Sequence, residues 1–506
     1  MSAVQSGAAQ EVKKYQTYHV KIDPAQNDKS TEIKLCSAQR PHMRAFHCSW
    51  FAFFCAFFIW FALAPLLSEV AISLDLSKQQ LWTSNIIAVS GTIFLRFLLG
   101  PVCDKYGARI SMGCMLMFAS IPTACTGLAN SAASLYAIRF FIGFAGSTFV
   151  MCQYWTSSMF TKEVVGTANA IAGGWGNLGG GVTQLVMGSF LFPLFKTGMS
   201  AERAWRTVSL VPASITFVVG AVIIFISDDA PKGNYSEMKK NGTMAEVSAT
   251  ASFRTGAMNL NTWIMALNYA CSFGVELTTF HAAAHYFQDH FELTTEKAAA
   301  IASIFGWMNV FSRAMGGFIS DKMNAKMGMR GRLAWQSFLL IGEGITIFIL
   351  AQSSTLGLAI FWMTIFGLFC QAANGSCYGI VPYINPPVTG SISGIIGAGG
   401  NLGAVGFGLG FRQLEEMQAF QLMGAVVIVA GISCFFVNIK GHRGLISGQD
   451  SQEVTAAWKK MAAGPAVNTL SVPEHDAEAA KDVERDTDND SELEFQQFCQ
   501  SIHAKE

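Results

Sequence analysis

The chain has 506 residues, of which 51% are hydrophobic and 13% charged, with 40 Phe spread along its length. Soluble domains carry about 25% charged residues, so an ordinary cytosolic enzyme, a disordered protein and a disulfide-rich secreted module are excluded. Zero net charge and the lack of a basic stripe argue against a nucleic-acid partner. What remains is an all-α membrane protein.

Residues 1–40 are polar and contain no apolar signal-peptide core, which predicts an N-terminal segment over 1–45 ahead of an uncleaved first span. Twelve mostly apolar runs follow, each near the 20 residues a spanning helix needs. They lie at roughly 46–67, 81–100, 110–129, 132–155, 166–192, 207–227, 262–287, 298–319, 333–352, 355–380, 389–411 and 418–438. The gap at 228–260 is polar, with Pro231, Gly233 and Asn241-Gly242. It predicts an N-terminal six-helix bundle over 46–227, a central loop, and a C-terminal six-helix bundle over 261–440. Residues 441–506 are polar, and 474–494 set ten acidic residues against Lys481 and Arg485, which predicts a disordered acidic tail.

An even number of spans puts both termini on one side. With that side cytoplasmic, the inner loops hold eleven Lys and Arg against six in the outer loops, and the N-terminal segment adds seven. The bias predicts cytoplasmic termini. The sequons at Asn234 and Asn241 then stay unglycosylated. The cysteines fall mostly inside apolar runs with no CxxC pair and read as small apolar fillers.

The two halves repeat each other. Arg96-Phe-Leu-Leu-Gly100 leads to Asp104-Lys105, and Arg313-Ala-Met-Gly-Gly317 leads to Asp321-Lys322 at the same spacings, 217 residues on. Val165–Gly181 aligns with Thr389–Val405 at an offset of 224, with seven of seventeen positions identical. The shared core is Gly176-Asn177-Leu178-Gly179 and Gly400-Asn401-Leu402-Gly403.

Arg96 and Arg313 carry the most chemistry. An arginine at the membrane centre costs about 2.5–3.5 kcal/mol on insertion scales, so each must face a wet cavity or a partner. Asp104 and Asp321 lie eight residues away, about 12 Å along a helix, too far for direct pairing. Spans 2 and 8 hold no acid, and Glu276 and Glu343 in spans 7 and 9 are too separate in sequence to assign as partners. Two guanidinium groups facing an anion from opposite halves is the functional reading, because a planar fork donates two parallel hydrogen bonds to a planar oxyanion. The glycine runs suit close helix approach. Asn177 and Asn401, at the same place in both halves, would bond either an anion or the facing helix.

Phe53, Phe54, Phe57 and Phe58 crowd span 1, Phe149 lies in span 4, and Tyr269 and Phe273 sit one turn apart in span 7. His281 and His285 stand at i, i+4 without an evident third metal ligand, and read as an interfacial or pH-sensitive pair. There is no phosphate-binding Gly-Lys-Ser loop, no nucleophile and base constellation, and no sign of a cofactor.

Gly100-Pro-Val-Cys-Asp104-Lys105-Tyr-Gly107-Ala-Arg109 resembles the loop 2–3 motif of the major facilitator superfamily. Ala172-Gly-Gly-Trp175-Gly-Asn177-Leu-Gly-Gly and Gly397-Ala-Gly-Gly-Asn401-Leu-Gly resemble the paired signature of its nitrate/nitrite porter family. Phe149-Val-Met-Cys-Gln153-Tyr154-Trp155 and Phe273-Gly-Val-Glu276-Leu are similar to the plant and algal high-affinity nitrate transporters. The resemblance covers about residues 44–440.

It implies a major facilitator fold of twelve transmembrane helices in two halves that rock about a midplane site. It implies nitrate bound by Arg96 and Arg313, with Gly176, Asn177, Gly400 and Asn401 as signature residues. Phe149, Tyr269, Phe273 and Phe57 map as aromatic walls. It implies import of nitrate and nitrite with protons across the plasma membrane, the vacuolar membrane being an alternative, and in some relatives with a small accessory membrane protein. Anion uptake into a negative cell is opposed by about 2.3 kcal/mol per 100 mV, which one proton cancels and two protons reverse. Glu276, Glu343 and Arg139 are the candidate proton carriers. A nitrate/nitrite antiporter, a nitrate sensor with a transporter fold, and a facilitator for another small anion stay open.

Overall fold

The computed structural model describes residues 17–161, 164–235, 249–385, 388–452 and 455. Residues 236–248 of the predicted central loop and most of the acidic tail lie outside them.

Of the polar segment ahead of the first span, the described part from residue 17 on forms a small hairpin. Ile22–Asp23 (β1) pairs antiparallel with Lys29–Ser30 (β2). The Thr161 amide donates to Ser30 O at 3.0 Å, and Lys29 Nζ to Ser157 O at 2.8 Å.

Helices account for the rest. In the first half they are α1 His42–Trp60, α2 Lys78–Tyr106, α3 Ala108–Ala124, α4 Ala132–Ile142, α5 Thr148–Met159, α6 Val165–Thr183 and α7 Leu210–Ile226. In the second they are α8 Leu260–Ala270, α9 Phe273–Phe291, α10 Thr295–Trp307, α11 Ser312–Met327, α12 Met329–Ala351, α13 Leu356–Ile384, α14 Thr389–Gln413 and α15 Glu416–Ser433. Short helices join several of them.

Among the described residues, nine helical stretches are long and apolar enough to cross a membrane. The other three predicted spans are helical too, as α2, as α8 with α9, and as α10 with α11. These three carry Arg96, Glu276 and Arg313, and polar residues are what lowers their mean hydropathy. The outward faces are apolar, with Phe94, Val218, Phe225, Phe338, Phe361 and Val429 exposed. This is the exterior of a multi-pass membrane protein.

Arg40 Nε donates to Ile226 O at 3.0 Å, and Asn261 Nδ2 to Asn438 O at 2.8 Å. The start of α1, the end of α7, the start of α8 and the end of α15 therefore share one end of the bundle.

The internal repeat shows in the packing. A Cβ on Gly113 (α3) would come within 2.6 Å of Gly220 O (α7), and one on Gly344 (α12) within 2.6 Å of Gly424 O (α15). Small residues give both pairs backbone contact, the usual glue between membrane helices. The turns after α2 and α11 repeat as well: Gly107 and Gly328 both take positive φ, +87° and +65°. At Gly107 a Cβ would overlap the Asp229 carboxylate, which accepts from the Arg109 amide at 3.0 Å.

Candidate anion-binding site

Three predicted spans that read as continuous are broken. Gly143–Ser147 forms a 3-10 turn between α4 and α5, Cys271 and Ser272 separate α8 from α9, and Met308–Val310 forms a 3-10 turn between α10 and α11. Non-helical backbone at membrane depth is tolerated only inside protein or along a cavity. Here the first break supplies Gly146 O to Arg96, the third supplies Asn309 to Glu276, and the second lies directly before Phe273.

Arg96 comes from α2 and is 2% exposed. Its Nη2 donates to Gly146 O of the first break at 3.2 Å, and its Nη1 crosses to Gly397 O of α14 at 2.5 Å. It therefore joins the first-half helices to the second-half signature helix. It forms no ion pair among the described residues. Its charge lies over two rings instead, 5.2 Å from the centroid of Phe149 and 5.3 Å from that of Phe273.

Arg313 comes from α11 and is 3% exposed. Its partner is Glu276 of α9: Arg313 Nη2 donates to Glu276 Oε2 at 2.7 Å. Asn309 Nδ2, on the third break, donates to Glu276 Oε1 at 2.8 Å, and Asn374 Nδ2 of α13 to Oε2 at 2.8 Å. This pairing was not legible in the sequence, where the two residues stand 37 positions apart on different helices. The aspartates of the loop motifs play no part in it. Asp321 pairs with Arg332 at 2.6 Å, and the side chain of Asp104 lies outside the described residues. Glu343 is fully buried in α12 and forms no ion pair among the described residues.

Between the arginines runs an aromatic stack. Tyr269 and Phe273 are parallel at 5.1 Å, and Phe149 stacks on Phe273 at 6.2 Å. Arg313 also approaches Phe273, at 5.9 Å from its centroid. Tyr378 of α13 closes the group edge-on, 5.0 Å from Tyr269 and 5.7 Å from Phe149. It was missed because its local sequence carries no repeat.

Of the span 1 aromatics, Phe53 is the one beside the site, 5.7 Å from Phe149. Phe57 packs one turn further on, against Phe53, Trp60 and Phe61.

The signature glycines allow this crowding. A Cβ on Gly176 would overlap the Phe53 ring, and one on Gly400 would lie 2.7 Å from Phe273 and 2.9 Å from Tyr269. The two signature asparagines behave alike. Asn177 and Asn401 are fully buried, and neither side-chain amide has a hydrogen-bond partner. Buried amides of native proteins are nearly always paired, and these two unpaired ones stand at equivalent places of the repeat.

The centre thus holds two guanidinium charges and one carboxylate. With Glu276 ionised, one positive charge is left over among these three groups, beside the aromatic stack. With Glu276 protonated the excess is two, so in either state the centre favours an anion over a cation.

His281 and His285 do not form a site together. His281 is buried, while His285 stands near Asp289 (3.4 Å) and Glu416 (3.7 Å) at the rim.

The family model described as Major Facilitator Superfamily matches residues 49–408. "High affinity nitrate transporter 2.5" of Arabidopsis thaliana is 38% identical over 433 residues, spanning 85% of this chain and 86% of that one. "Nitrate transporter 2.1" of Chlamydomonas reinhardtii is 36% identical over 429 residues, 82% and 78% of the two chains. In fold, the chain is similar to the crystal structure of a bacterial homologue of the human lysosomal transporter Spinster, inward-facing and occupied. The TM-score is 0.60 at 14% identity, over 79% of this chain and 97% of that one.

Proposed function

The chain belongs to the major facilitator superfamily and to the high-affinity nitrate transporters within it, and from that premise we propose that it imports nitrate, and nitrite at the same site, by alternating access. The observation that carries this reading is the excess of positive charge at the centre, together with the two orphaned amides at equivalent places of the repeat. Nitrate is flat, monovalent and rich in acceptors. Arg96 and Arg313 would grip it from opposite halves, the amides of Asn177 and Asn401 would donate to its remaining oxygens, and Phe149, Phe273 and Tyr269 would cover its faces. Gly176 and Gly400 keep those rings close, and Phe57 backs Phe53 behind the wall.

The proton step follows from Glu276. Its carboxylate holds one Nη of Arg313 in the present state. Protonation of that carboxylate would release Arg313 to the anion, and loss of the proton after closure would pull Arg313 back and free the anion. A proton and nitrate would then be loaded together. One proton makes the cycle electroneutral, and a second lets the membrane potential drive uptake.

We place both termini in the cytoplasm, on the Lys and Arg bias, and the protein in the plasma membrane. The test is nitrate-evoked current in voltage-clamped cells expressing this chain alone, at external pH 5.5 and 7.5. Two protons per nitrate give inward current that grows at acid pH, which would show that no accessory protein is obligatory, whereas one proton on Glu276 alone gives acid-stimulated uptake without current. Nitrate exchange that ignores the proton gradient would favour the nitrate/nitrite antiporter instead.

A further inference from the structure

Glu343 is an acid that packing does not ask for. It stands fifteen residues past Gly328 on α12, and Arg313 stands fifteen residues before Gly328 on α11, about 22 Å along each helix. The two helices pack side by side, so Glu343 lies at about the depth of Arg313. It is fully buried, and both of its carboxyl oxygens lack a hydrogen-bond partner among the described residues. In the first half α3 follows the matching turn and contains no acid. An ionisable group inside a span is expensive and marks function by default.

The elements packed on α12 leave this acid without a counter-charge. They are α11, α13 and α15. On α11, Arg313 is held by Glu276, and Asp321, Lys322 and Lys326 lie at least two turns nearer Gly328. On α13, the Cys370 thiol stands beside Glu343 but donates to Ser272 O at 3.3 Å, and Cys377, Tyr378 and Tyr383 lie further along. α15 has no titratable group between Glu416 at its start and Cys434 beyond its end. Cys271, before α9, also interacts with Glu343. On α12 itself Arg330 and Arg332 lie in the first turn, and Arg332 pairs with Asp321. A lone carboxylate so placed would cost far more to bury than the neutral acid. Glu343 therefore carries its proton in this state, while Glu276 is ionised on Arg313.

Glu343 also interacts electrostatically with Glu276. Gln371, next to Cys370 on α13, lies beside Glu276 and is fully buried with both ends of its amide unpaired. Gln336, two turns before Glu343 toward Gly328, is buried and unpaired in the same way. An amide both donates and accepts, so each can bond a carboxyl group in either protonation state.

The charge of the empty carrier depends on Glu343. With Glu276 as the sole proton carrier, the loaded centre holds two guanidinium groups, one nitrate and a neutral Glu276, a net single positive charge. The empty centre, with Glu276 ionised, has the same charge, so voltage drives neither crossing. With Glu343 as a second carrier, the loaded centre keeps its single positive charge. The empty one has a carboxylate for each guanidinium and is neutral. One positive charge then moves inward per nitrate, and the membrane potential favours uptake.

We propose that Glu343 is the second proton-carrying residue, and that its proton is what couples uptake to the membrane potential. Its carboxyl takes the proton from external water, forming one O–H bond, and returns it to cytoplasmic water past Gln336, with nothing oxidised or reduced. The proposal rests on the nitrate reading and on the orientation given above, and adds the stoichiometry. Acid stimulation of uptake then reports Glu276, and charge moved per nitrate reports Glu343.

The test counts charge and labelled nitrate in the same voltage-clamped oocytes expressing the full chain. The wild type should move about one positive charge per nitrate. Glu343→Gln keeps the shape and removes the proton site. Its charge per nitrate should fall to about zero, while acid still stimulates the uptake that remains. Glu343→Asp keeps the carboxyl and should move charge as the wild type does. In liposomes Glu343→Gln should still exchange labelled nitrate, which needs no proton gradient. Loss of that exchange would overturn the assignment, since it means a packing or binding defect. About one charge per nitrate in Glu343→Gln would overturn it as well. Wild-type uptake without current would overturn the second proton and leave the nitrate reading standing. Absence of nitrate transport by the wild-type chain would overturn both.

Discussion

Replacing Glu276 by Gln keeps the shape of the centre and changes its charge. The amide oxygen can still accept from Arg313, but the negative charge is gone. Two guanidinium groups then stand in a site that is shielded from solvent, with Glu276 fully buried and Arg313 3% exposed. Breaking a buried pair by removing one partner costs about 3–5 kcal/mol, because the other charge is left uncompensated. Nitrate can supply the missing charge. At a concentration about a hundredfold above its Kd, nitrate stabilises the wild-type chain by about 2.7 kcal/mol, and it should stabilise Glu276→Gln by more. The assay is thermal unfolding of the purified full chain in detergent, with sodium nitrate against sodium gluconate. The variant should melt well below the wild type in gluconate, and the gap should narrow in nitrate. In cells its uptake should lose the stimulation by external acid. A variant that melts like the wild type in gluconate, or a gap that nitrate leaves unchanged, would refute the charge argument.

Other outcomes follow from the same geometry. Phe149→Ala removes the ring 5.2 Å from the Arg96 guanidinium, and a desolvated cation–π contact of about 1–2 kcal/mol predicts half-saturation raised about tenfold. Phe57→Ala, one turn behind the wall, should instead show chiefly as lower melting temperature, by the usual cost of about 3–5 kcal/mol for a buried Phe. Uptake kinetics and thermal unfolding of the pair separate the two roles. Gly181→Ala would bring a Cβ to 2.5 Å from Gly306 Cα across the seam, so it should disfavour the present packing of the halves. The readout is labelling of Ser68→Cys by a membrane-impermeant thiol reagent, since Ser68 bonds Gln288 across the rim at 2.5 Å here. Labelling should rise when Gly181→Ala is added. Arg96→Lys should lose most uptake, since a single ammonium cannot reach both Gly146 O and Gly397 O as the guanidinium does; labelled-nitrate uptake at matched surface amount checks it.

The parts of the site that repeat between the halves were legible from sequence. Arg96 and Arg313 stood out because a charge among apolar neighbours needs a reason, and Asn177 and Asn401 because two halves kept an amide where close packing asks only for glycine. Glu276 was visible as an acid inside a span, but its pairing with Arg313 depends on how α9 and α11 lie side by side, which no spacing along one helix reveals. Asn309 stands one turn before Arg313 on the same face and was the available clue. The helix breaks at Gly143–Ser147, Cys271-Ser272 and Met308–Val310 were hidden because apolar runs read as continuous whether or not the backbone is. Phe53 and Phe57 are one turn apart on one face of α1, and only the neighbouring Phe149 and Gly176 tell them apart. The folded hairpin before α1 escaped notice because its strands are only two residues long.

The central claim is that one anion is held by an arginine from each half. Counterflow of labelled nitrate through the purified full chain, reconstituted alone in liposomes, tests it most directly. The wild-type chain should exchange nitrate saturably. Arg313→Lys, inserted in equal amount, should lose at least about tenfold of that exchange, since a charged hydrogen bond is worth about 1.5–3 kcal/mol and Lys has no planar fork. Near-normal exchange by Arg313→Lys would contradict the account.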